Sequence, residues 1–326
     1  MITFLRRKKL GAGSIRGMTS FLNQDGRTPR STSAILSLGQ KASCVRSDRL
    51  QDTRAMAALE DSTLVVRWGC TSPTGVPLSK QVNPSRAISI VGDKLGCRKM
   101  FREMDPTLIP TTIIKGDSDN ETSWISGEQP LVLRPRTHAQ GRNLFVVNGL
   151  EDLLNVVNNN SRVFSGGWYA SELINKVAEY RVYVVSGRVA TVARKTPDDP
   201  SAVAWNVAQG GRFDVVNWGD WPMEVCRVAV EAFKHVPDLD FSGVDVMVDE
   251  NGRAYVIEMN SAPSLPLLSD GSVSYRQKCM AHCFAYMADH GKERMSLSPD
   301  ATGWRKYIHP AVKDHYATQN NEGEGM

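Results

Sequence analysis

Residues 243–260 read GVDVMVDENGRAYVIEMN, two alternating stretches flanking Asn251-Gly252. Asn-Gly is the strongest short hairpin signal, because a type I′ turn needs positive φ at both central positions. A two-residue loop there fixes the register: Glu250 opposes Arg253, Val248 opposes Tyr255, and Asp245 opposes Glu258. Directly opposed side chains share a face, with Cβ atoms about 4.5–5.5 Å apart. Asn260, two residues past Glu258, points to the same face. The spacing therefore predicts two carboxylates and a carboxamide converging. Opposed like charges destabilise a sheet unless something neutralises them. A hard divalent cation with oxygen ligands does so, and Mg²⁺ carrying phosphates is the usual biological case. The plainer alternative is a pair of solvated edge residues. Against it, Val256 shares the carboxylate face while Ile257 and Met259 fall on the other, a mixture that suits a strand end lining a site.

Outward from the hairpin, strands and helices are interspersed. Thr63–Trp68 (TLVVRW) reads as a buried strand, followed by the loop CTSPTGVP. Ile109–Lys115 and Gln129–Arg134 read as strands, and Val182–Val185 with Arg188–Ala193 as a hairpin. Helical spacing covers Ser47–Leu59, Ile90–Met104, Met223–Lys234 and Tyr275–Asp289, the second stopping before Asp105-Pro106. This order implies an α/β or α+β architecture. Residues 1–33 lack an apolar period and are expected to be a basic, irregular arm. Within them GAGSIRG looks like a glycine-rich phosphate loop, but it follows RRKKL, so the strand a dinucleotide fold requires is not expected before it. No GxxxxGK[ST] loop occurs. From about Ser296 the chain is polar and expected to be a poorly ordered tail.

The 326 residues are 41% hydrophobic and 23% charged, ordinary for a globular protein with two or three subdomains. No run of eighteen apolar residues suggests a membrane span, and the first residues do not read as an export signal. The six cysteines form no CxxC pair, which points to reduced thiols and a cytoplasmic setting. Residues 1–60 carry eleven Lys or Arg against four Asp or Glu. Such an arm can touch nucleic acid, although a solvated tail is the simpler reading. Cys279, His282 and Cys283 share one helix without a second ligand pair, so packing is expected there rather than metal binding.

Asp245, Glu258 and Asn260, followed by SAPSLP, resemble the metal-binding end of the ATP-grasp superfamily. D-alanine–D-alanine ligase, glutathione synthetase and the ribosomal-protein glutamate ligases share that ending, and short ATP-grasp proteins of tailed phages look similar. The resemblance runs over about residues 83–268. NPSRAISIVGDK resembles the entry to the nucleotide domain and puts Lys94 where a phosphate-contacting lysine belongs. LVLRPRTHAQGRNLFVV resembles the strand–loop–strand that covers the phosphates, with Gly141 in the loop and Arg134 where the family has Lys. SELINKVAEYR resembles the hinge that holds adenine through the backbone of Glu172, Leu173 and Ile174. Glu179 then falls on the ribose hydroxyls. The residues alone allow another role for Glu179: a Ser186-Gly187 hairpin loop sets it opposite Arg194 as an ion pair. Arg181, Arg194 and Lys195 resemble the cations facing the triphosphate and acyl phosphate. Asn206 with Gly210-Gly211 resembles the Asn…Gly-Gly stretch of the glutamate-ligase branch, although Trp205 replaces its basic neighbour.

The resemblance implies an α+β ATP-grasp fold, two α+β subdomains clasping ATP behind a short α/β N-terminal domain. The expected divisions are an arm at 1–33, an N-terminal domain at 34–112, a small subdomain at 113–174, a large subdomain at 175–295 and a tail at 296–326. It also implies ATP and Mg²⁺ (two ions, or Mn²⁺ in their place) and a carboxylate and an amine as substrates. Arg181 and Arg194 are the expected catalytic cations and Asp245, Glu258 and Asn260 the metal ligands. A kinase acting on a small-molecule hydroxyl and a nucleotide-binding interaction module are the alternatives.

Overall fold

The structure is a computed structural model and describes residues 1–23, 40–136, 143–199, 202–205 and 211–313. At the N-terminus, β1 (Ile2–Arg6), β2 (Ala42–Arg46), β3 (Leu64–Trp68) and β4 (Gln81–Val82) form a parallel sheet in the order β2-β1-β3-β4. With it come α1 (Ala12–Leu22), α2 (Thr53–Glu60), α3 (Ser85–Gly92) and α4 (Lys94–Met104).

The described part of the expected arm is thus not irregular. β1 is a central strand, and α1 buries Ile15, Met18, Phe21 and Leu22 at helical spacing. A parallel strand covered on both faces is near-continuously apolar and short, so ITFLR lacks the alternation that marks a strand. The glycine segment GAGSIRG does follow a buried strand, and Gly11 (φ 72°) turns the chain into α1. The single helix expected over Ile90–Met104 is two, because Asp93 breaks it. Its carboxylate accepts from the Gly96 amide and caps α4.

The second sheet contains β5 (Thr112–Ile114), β6 (Pro130–Pro135), β7 (Phe145–Asn148) and β8 (Trp168–Glu172), antiparallel in the order β5-β8-β6-β7. Helices α5 (Asp119–Thr122), α6 (Gly149–Asn159) and α7 (Ser161–Phe164) accompany it. It has its own core, including Ile113, Leu131, Leu133, Val147 and Phe164.

The third sheet is antiparallel: β9 (Lys176–Val185), β10 (Arg188–Thr196), β11 (Arg212–Val216), β12 (Phe241–Asp249) and β13 (Ala254–Asn260), in the order β11-β10-β9-β12-β13. One face packs Val182, Val192, Val244 and Val246 against α8 (Met223–His235). Phe4, Trp68, Phe241 and Phe284 join this core to the parallel sheet. Trp68 stacks on Phe241 at 5.1 Å and Phe4 meets Phe284 of α9 (Tyr275–His290) edge-on at 5.7 Å. Cys279 and Cys283 are fully inside it, and no metal-binding group of three His, Cys, Asp or Glu occurs among the described residues.

The expected tail is also ordered as far as Lys313. Val189 N–H donates to Tyr307 O and His309 N–H to Val189 O, each at 2.8 Å, so the edge of the β9–β10 turn pins the segment. Tyr307, Ile308, His309 and Val312 are buried there. Four apolar or aromatic side chains in a polar stretch are too few to show a period.

Candidate active site

A cleft of about 1200 Å³ lies between the second and third sheets, closed at one end by the α3–α4 junction and the loops after β1 and β3. The free face of the third sheet supplies its floor. Register decides which side chains reach it, and two β-bulges set the register.

The first bulge lies in β10. Ser186 (φ 47°) and Gly187 (φ 79°) form the expected two-residue loop, with Val185 opposite Arg188. Between Val189 and Thr191 the ladder shifts by one residue. Glu179 consequently opposes Lys195, and Arg194 opposes Tyr180. Arg194 is exposed while Lys195 is buried in the cleft floor. The expectation of Arg194 as a catalytic cation is therefore corrected: a one-residue slip turns a side chain to the other face.

The second bulge lies in β13. Only Gly252 (φ 82°), not Asn251, adopts positive φ, and Asp249 N–H donates to Arg253 O at 3.0 Å. The hairpin loop thus has three residues, the turn-plus-bulge form with glycine in the left-handed position. That pairs Met247 with Tyr255, one step from the expected register. A bulge at Ile257 then restores it, so Asp245 does oppose Glu258.

Asp245 is the electrostatic centre. Arg181 Nε and Nη2 donate to its two oxygens at 2.6 and 2.7 Å, and Lys195 Nζ donates to Oδ2 at 2.9 Å. Burial opposes ionisation, but Arg181 and Lys195 outweigh it and hold the carboxyl well below the usual range. Burial likewise opposes the charge on Lys195, and Asp245 and Glu179 overcome it, raising its pKa. Glu179 accepts from Lys195 and from Lys176, the latter at 2.8 Å. It is 3% exposed. Lys176 also stands over the Trp205 ring at 4.6 Å. Here burial wins, and its pKa is lowered.

Glu258 is the more accessible carboxylate. Asn260 Nδ2 donates to its Oε1 at 3.0 Å, which leaves the Asn260 carbonyl oxygen able to turn to a ligand. Lys94, in the first turn of α4, donates to Met259 O at 2.5 Å and lies 3.6 Å from Glu258. The set is all oxygen, with two carboxylates and an amide. Mg²⁺ is bound by one or two carboxylates plus phosphates and water, not by an all-protein cage. The residues fit such an ion, with Glu258 and Asn260 as ligands and Asp245 sharing lone pairs not taken by Arg181 and Lys195.

At the other end, Leu173 and Ile174 line the cleft. Glu172 N–H donates to Thr111 O and Leu173 N–H to Pro130 O, both at 3.0 Å. Among the described residues, the Leu173 carbonyl and the Ile174 amide make no backbone hydrogen bond. They are therefore the acceptor and donor available to an adenine edge. The Glu172 carboxylate faces away, accepting from Thr111 N–H at 2.8 Å. Arg134 on β6 lines the cleft as expected. Gly141 and Asn206 lie outside the described residues.

Two cleft residues escape a reading of the sequence alone. Lys176 reaches Glu179 from three residues away, a spacing that strand alternation does not predict. Arg136 pairs with Asp93 at 2.5 Å and so ties the end of β6 to the cap of α4. Asp93-x-x-Gly96 carries a capping signal, but nothing local points to Arg136 as its partner.

This architecture is the ATP-grasp fold: two lobes of sheet and helix around a cleft whose floor carries the acidic hairpin. Residues 135–272 match a family described as an ATP-grasp domain, the second family of its clade, and the chain carries that domain. No curated protein matches the sequence. Among solved structures, the fold is similar to the ATP-grasp ligase PsnB complexed with minimal precursor (TM-score 0.57, 14% identity, 88% of this chain and 98% of that one). It is similar to D-alanine–D-alanine ligase from Bacillus anthracis (TM-score 0.58, 14% identity, 88% and 98%). A third is the macrocyclase MdnC bound with precursor peptide MdnA from Microcystis aeruginosa (TM-score 0.54, 13% identity, 89% and 99%). No helix among the described residues is long and apolar enough to cross a membrane.

Proposed function

We propose that the protein is an ATP-dependent carboxylate–amine ligase that forms an amide through an acyl phosphate. The observation that carries this reading is the cleft floor, where Arg181 and Lys195 are locked onto Asp245 beside the more accessible Glu258 and Asn260. Adenine lies against the Leu173 carbonyl and Ile174 amide, and Glu179 sits at the ribose. Lys94, Arg134, Arg181 and Lys195 surround the triphosphate.

A substrate carboxylate oxygen attacks the γ-phosphorus, the bond to ADP breaks, and an acyl phosphate forms. The amine nitrogen then attacks the carbonyl carbon, phosphate leaves, and the nitrogen releases its proton. Arg181 and Lys195 offset the charge that grows on the transferring group, in positions fixed beforehand by Asp245. Glu258, Asn260 and Asp245 would hold Mg²⁺, which supplies charge neutralisation across the phosphates. No protein nucleophile is required, because the substrates bring both reacting groups.

The matched family and the ligase activity named for PsnB, MdnC and D-alanine–D-alanine ligase support the reading. PsnB and MdnC were each solved with a precursor peptide, so peptides are the first acceptor class to screen. The test supplies ATP, Mg²⁺, hydroxylamine and a panel of carboxylic acids. A hydroxamate formed by wild-type protein and lost in Glu258→Gln supports a ligase. ADP released without hydroxamate rejects it in favour of phosphate transfer to a hydroxyl.

A further inference from the structure

Asp245 and Glu258 meet only because β13 carries one extra residue. From the loop, β12 and β13 run in a register that pairs Val246 with Val256. One step further without the bulge, Asp245 would oppose Ile257, and Glu258 would oppose Val244, whose side chain is in the core. The extra residue returns Glu258 to the cleft. A bulge interrupts the ladder and leaves backbone groups without strand partners.

Arg98 of α4 occupies that gap. Its Nη2 donates to Ile257 O at 2.8 Å and its Nη1 to Val256 O at 3.4 Å. Its guanidinium lies over the Tyr169 ring of β8 at 5.4 Å. Arg98 is 3% exposed, and among the described residues no ion pair joins it to a carboxylate. One turn earlier on the same face of α4, Lys94 donates to Met259 O. The helix therefore stitches β13 at three carbonyls, on both sides of Glu258. A methionine could fill the volume of Arg98 at a lower desolvation cost, but it would leave the bulge carbonyls unpaired.

We infer that Arg98 is a positioning residue that pins the Ile257 bulge and so keeps Glu258 on the cleft face, opposite Asp245. The metal-binding consequence rests on the ligase reading; the pinning does not. Residues that orient metal ligands typically change metal affinity by about 10–100-fold when removed.

The test compares wild type, Arg98→Met, Arg98→Lys and Glu258→Gln by amide hydrogen exchange and by calorimetry with a non-hydrolysable ATP analogue. In Arg98→Met, exchange through residues 256–260 accelerates about tenfold or more while β9 and β10 keep their protection. The gain in analogue affinity on adding Mg²⁺ falls about 10–100-fold, toward that of Glu258→Gln. Arg98→Lys, which keeps the charge and one donor, recovers part of both. Wild-type exchange through 256–260 in Arg98→Met overturns the inference, as does an undiminished magnesium gain. If wild-type protein itself shows no magnesium gain, the ligase reading fails, and the exchange comparison alone decides the role of Arg98. Should Arg98→Met not fold, Arg98→Lys is judged in its place: partial acceleration supports the pinning and wild-type exchange rejects it.

Discussion

Arg181 and Asp245 stand directly opposite each other on β9 and β12 and are joined by two hydrogen bonds of 2.6 and 2.7 Å. The pair sits on the central two strands of the floor, with Asp245 2% exposed. Its geometry is the bidentate fork that only Arg offers. Removing the carboxylate leaves Arg181 and Lys195 facing each other without a counter-charge. Asp245→Asn is therefore expected to lower stability by about 3–5 kcal/mol, the range for breaking a buried pair. The effect also depends on pH. Asp245 keeps its charge below the ordinary carboxylate range, so its contribution is complete above about pH 4 and fades as pH falls toward its folded value. Urea midpoints of wild type and Asp245→Asn should converge as pH drops from neutral toward about 3. Parallel midpoints over that range would mean the pair contributes nothing through ionisation.

The bulge in β10 makes neighbours unequal. Lys195 reaches Glu179 and Asp245, whereas Arg194 points to solvent. Lys195→Met is expected to lower the ADP-forming rate by about 10²–10³-fold, the effect of removing one pre-aimed charge-stabilising donor. Arg194→Ala should change stability by no more than about 0.5 kcal/mol and leave turnover near wild type. Steady-state ADP release, measured on both, checks the assignment. An Arg194→Ala enzyme as impaired as Lys195→Met would mean the β10 register is wrong.

Legibility of the sequence follows from where the chain's information is local. Asp245, Glu258 and Asn260 are legible because hairpin alternation carries from residue to residue. Their opposition is as expected although two of its premises fail: the loop has three residues, and the bulge at Ile257 cancels the one-residue error. In β10 a single bulge has no such compensation, so Lys195 takes the place opposite Glu179 that alternation assigns to Arg194. Bulges have no strong sequence signature, because they answer to packing across the sheet. Arg98, Arg136 and Lys176 are illegible for a related reason. Their partners lie on other elements or on backbone carbonyls, or at a spacing that no periodicity rule reaches.

Asn83 and Asp240 tie the segment before α3 to the start of β12. Asn83 Oδ1 accepts from the amides of Asp240 and Phe241 at 2.8 and 3.0 Å, and Asp240 Oδ2 accepts from Asn83 N–H at 2.6 Å. Burial pushes the Asp240 carboxyl up to about 6, only partly offset by Lys292 at 4.0 Å. The folded state thus holds this proton more tightly than the unfolded chain, and its contribution falls as pH rises from about 4 through 6. Asp240→Asn keeps an acceptor oxygen and removes the buried charge. It is expected to stabilise the protein by about 1–3 kcal/mol at pH 8 relative to its effect at pH 4, since one pKa unit corresponds to about 1.4 kcal/mol. Denaturant titrations at the two pH values read the difference. An equal effect at both would show that Asp240 does not titrate in that window.

The first 22 residues are structural, which can be tested apart from any activity. β1 lies between β2 and β3, so losing it breaks two ladders at once. Ser14 Oγ accepts from the Leu265 amide at 2.9 Å, just beyond the segment that follows Asn260 along the cleft. Gln277 of α9 donates to Gly13 O at 3.1 Å and to Leu265 O at 3.0 Å, closing the same corner. A solvated arm could be deleted without cost, whereas here deletion of residues 1–22 should give a chain that fails to melt cooperatively. Gly11→Ala asks the same question with one atom. Gly11 has φ 72°, and an added Cβ would lie 2.4 Å from Trp68 Cδ1. Left-handed backbone and overpacking each cost about 1–3 kcal/mol, so a fall in the melting temperature of several degrees is expected. Wild-type melting by both the truncation and Gly11→Ala would place these residues outside the fold. A cooperative loss in both would place the N-terminal strand among the supports of the cleft.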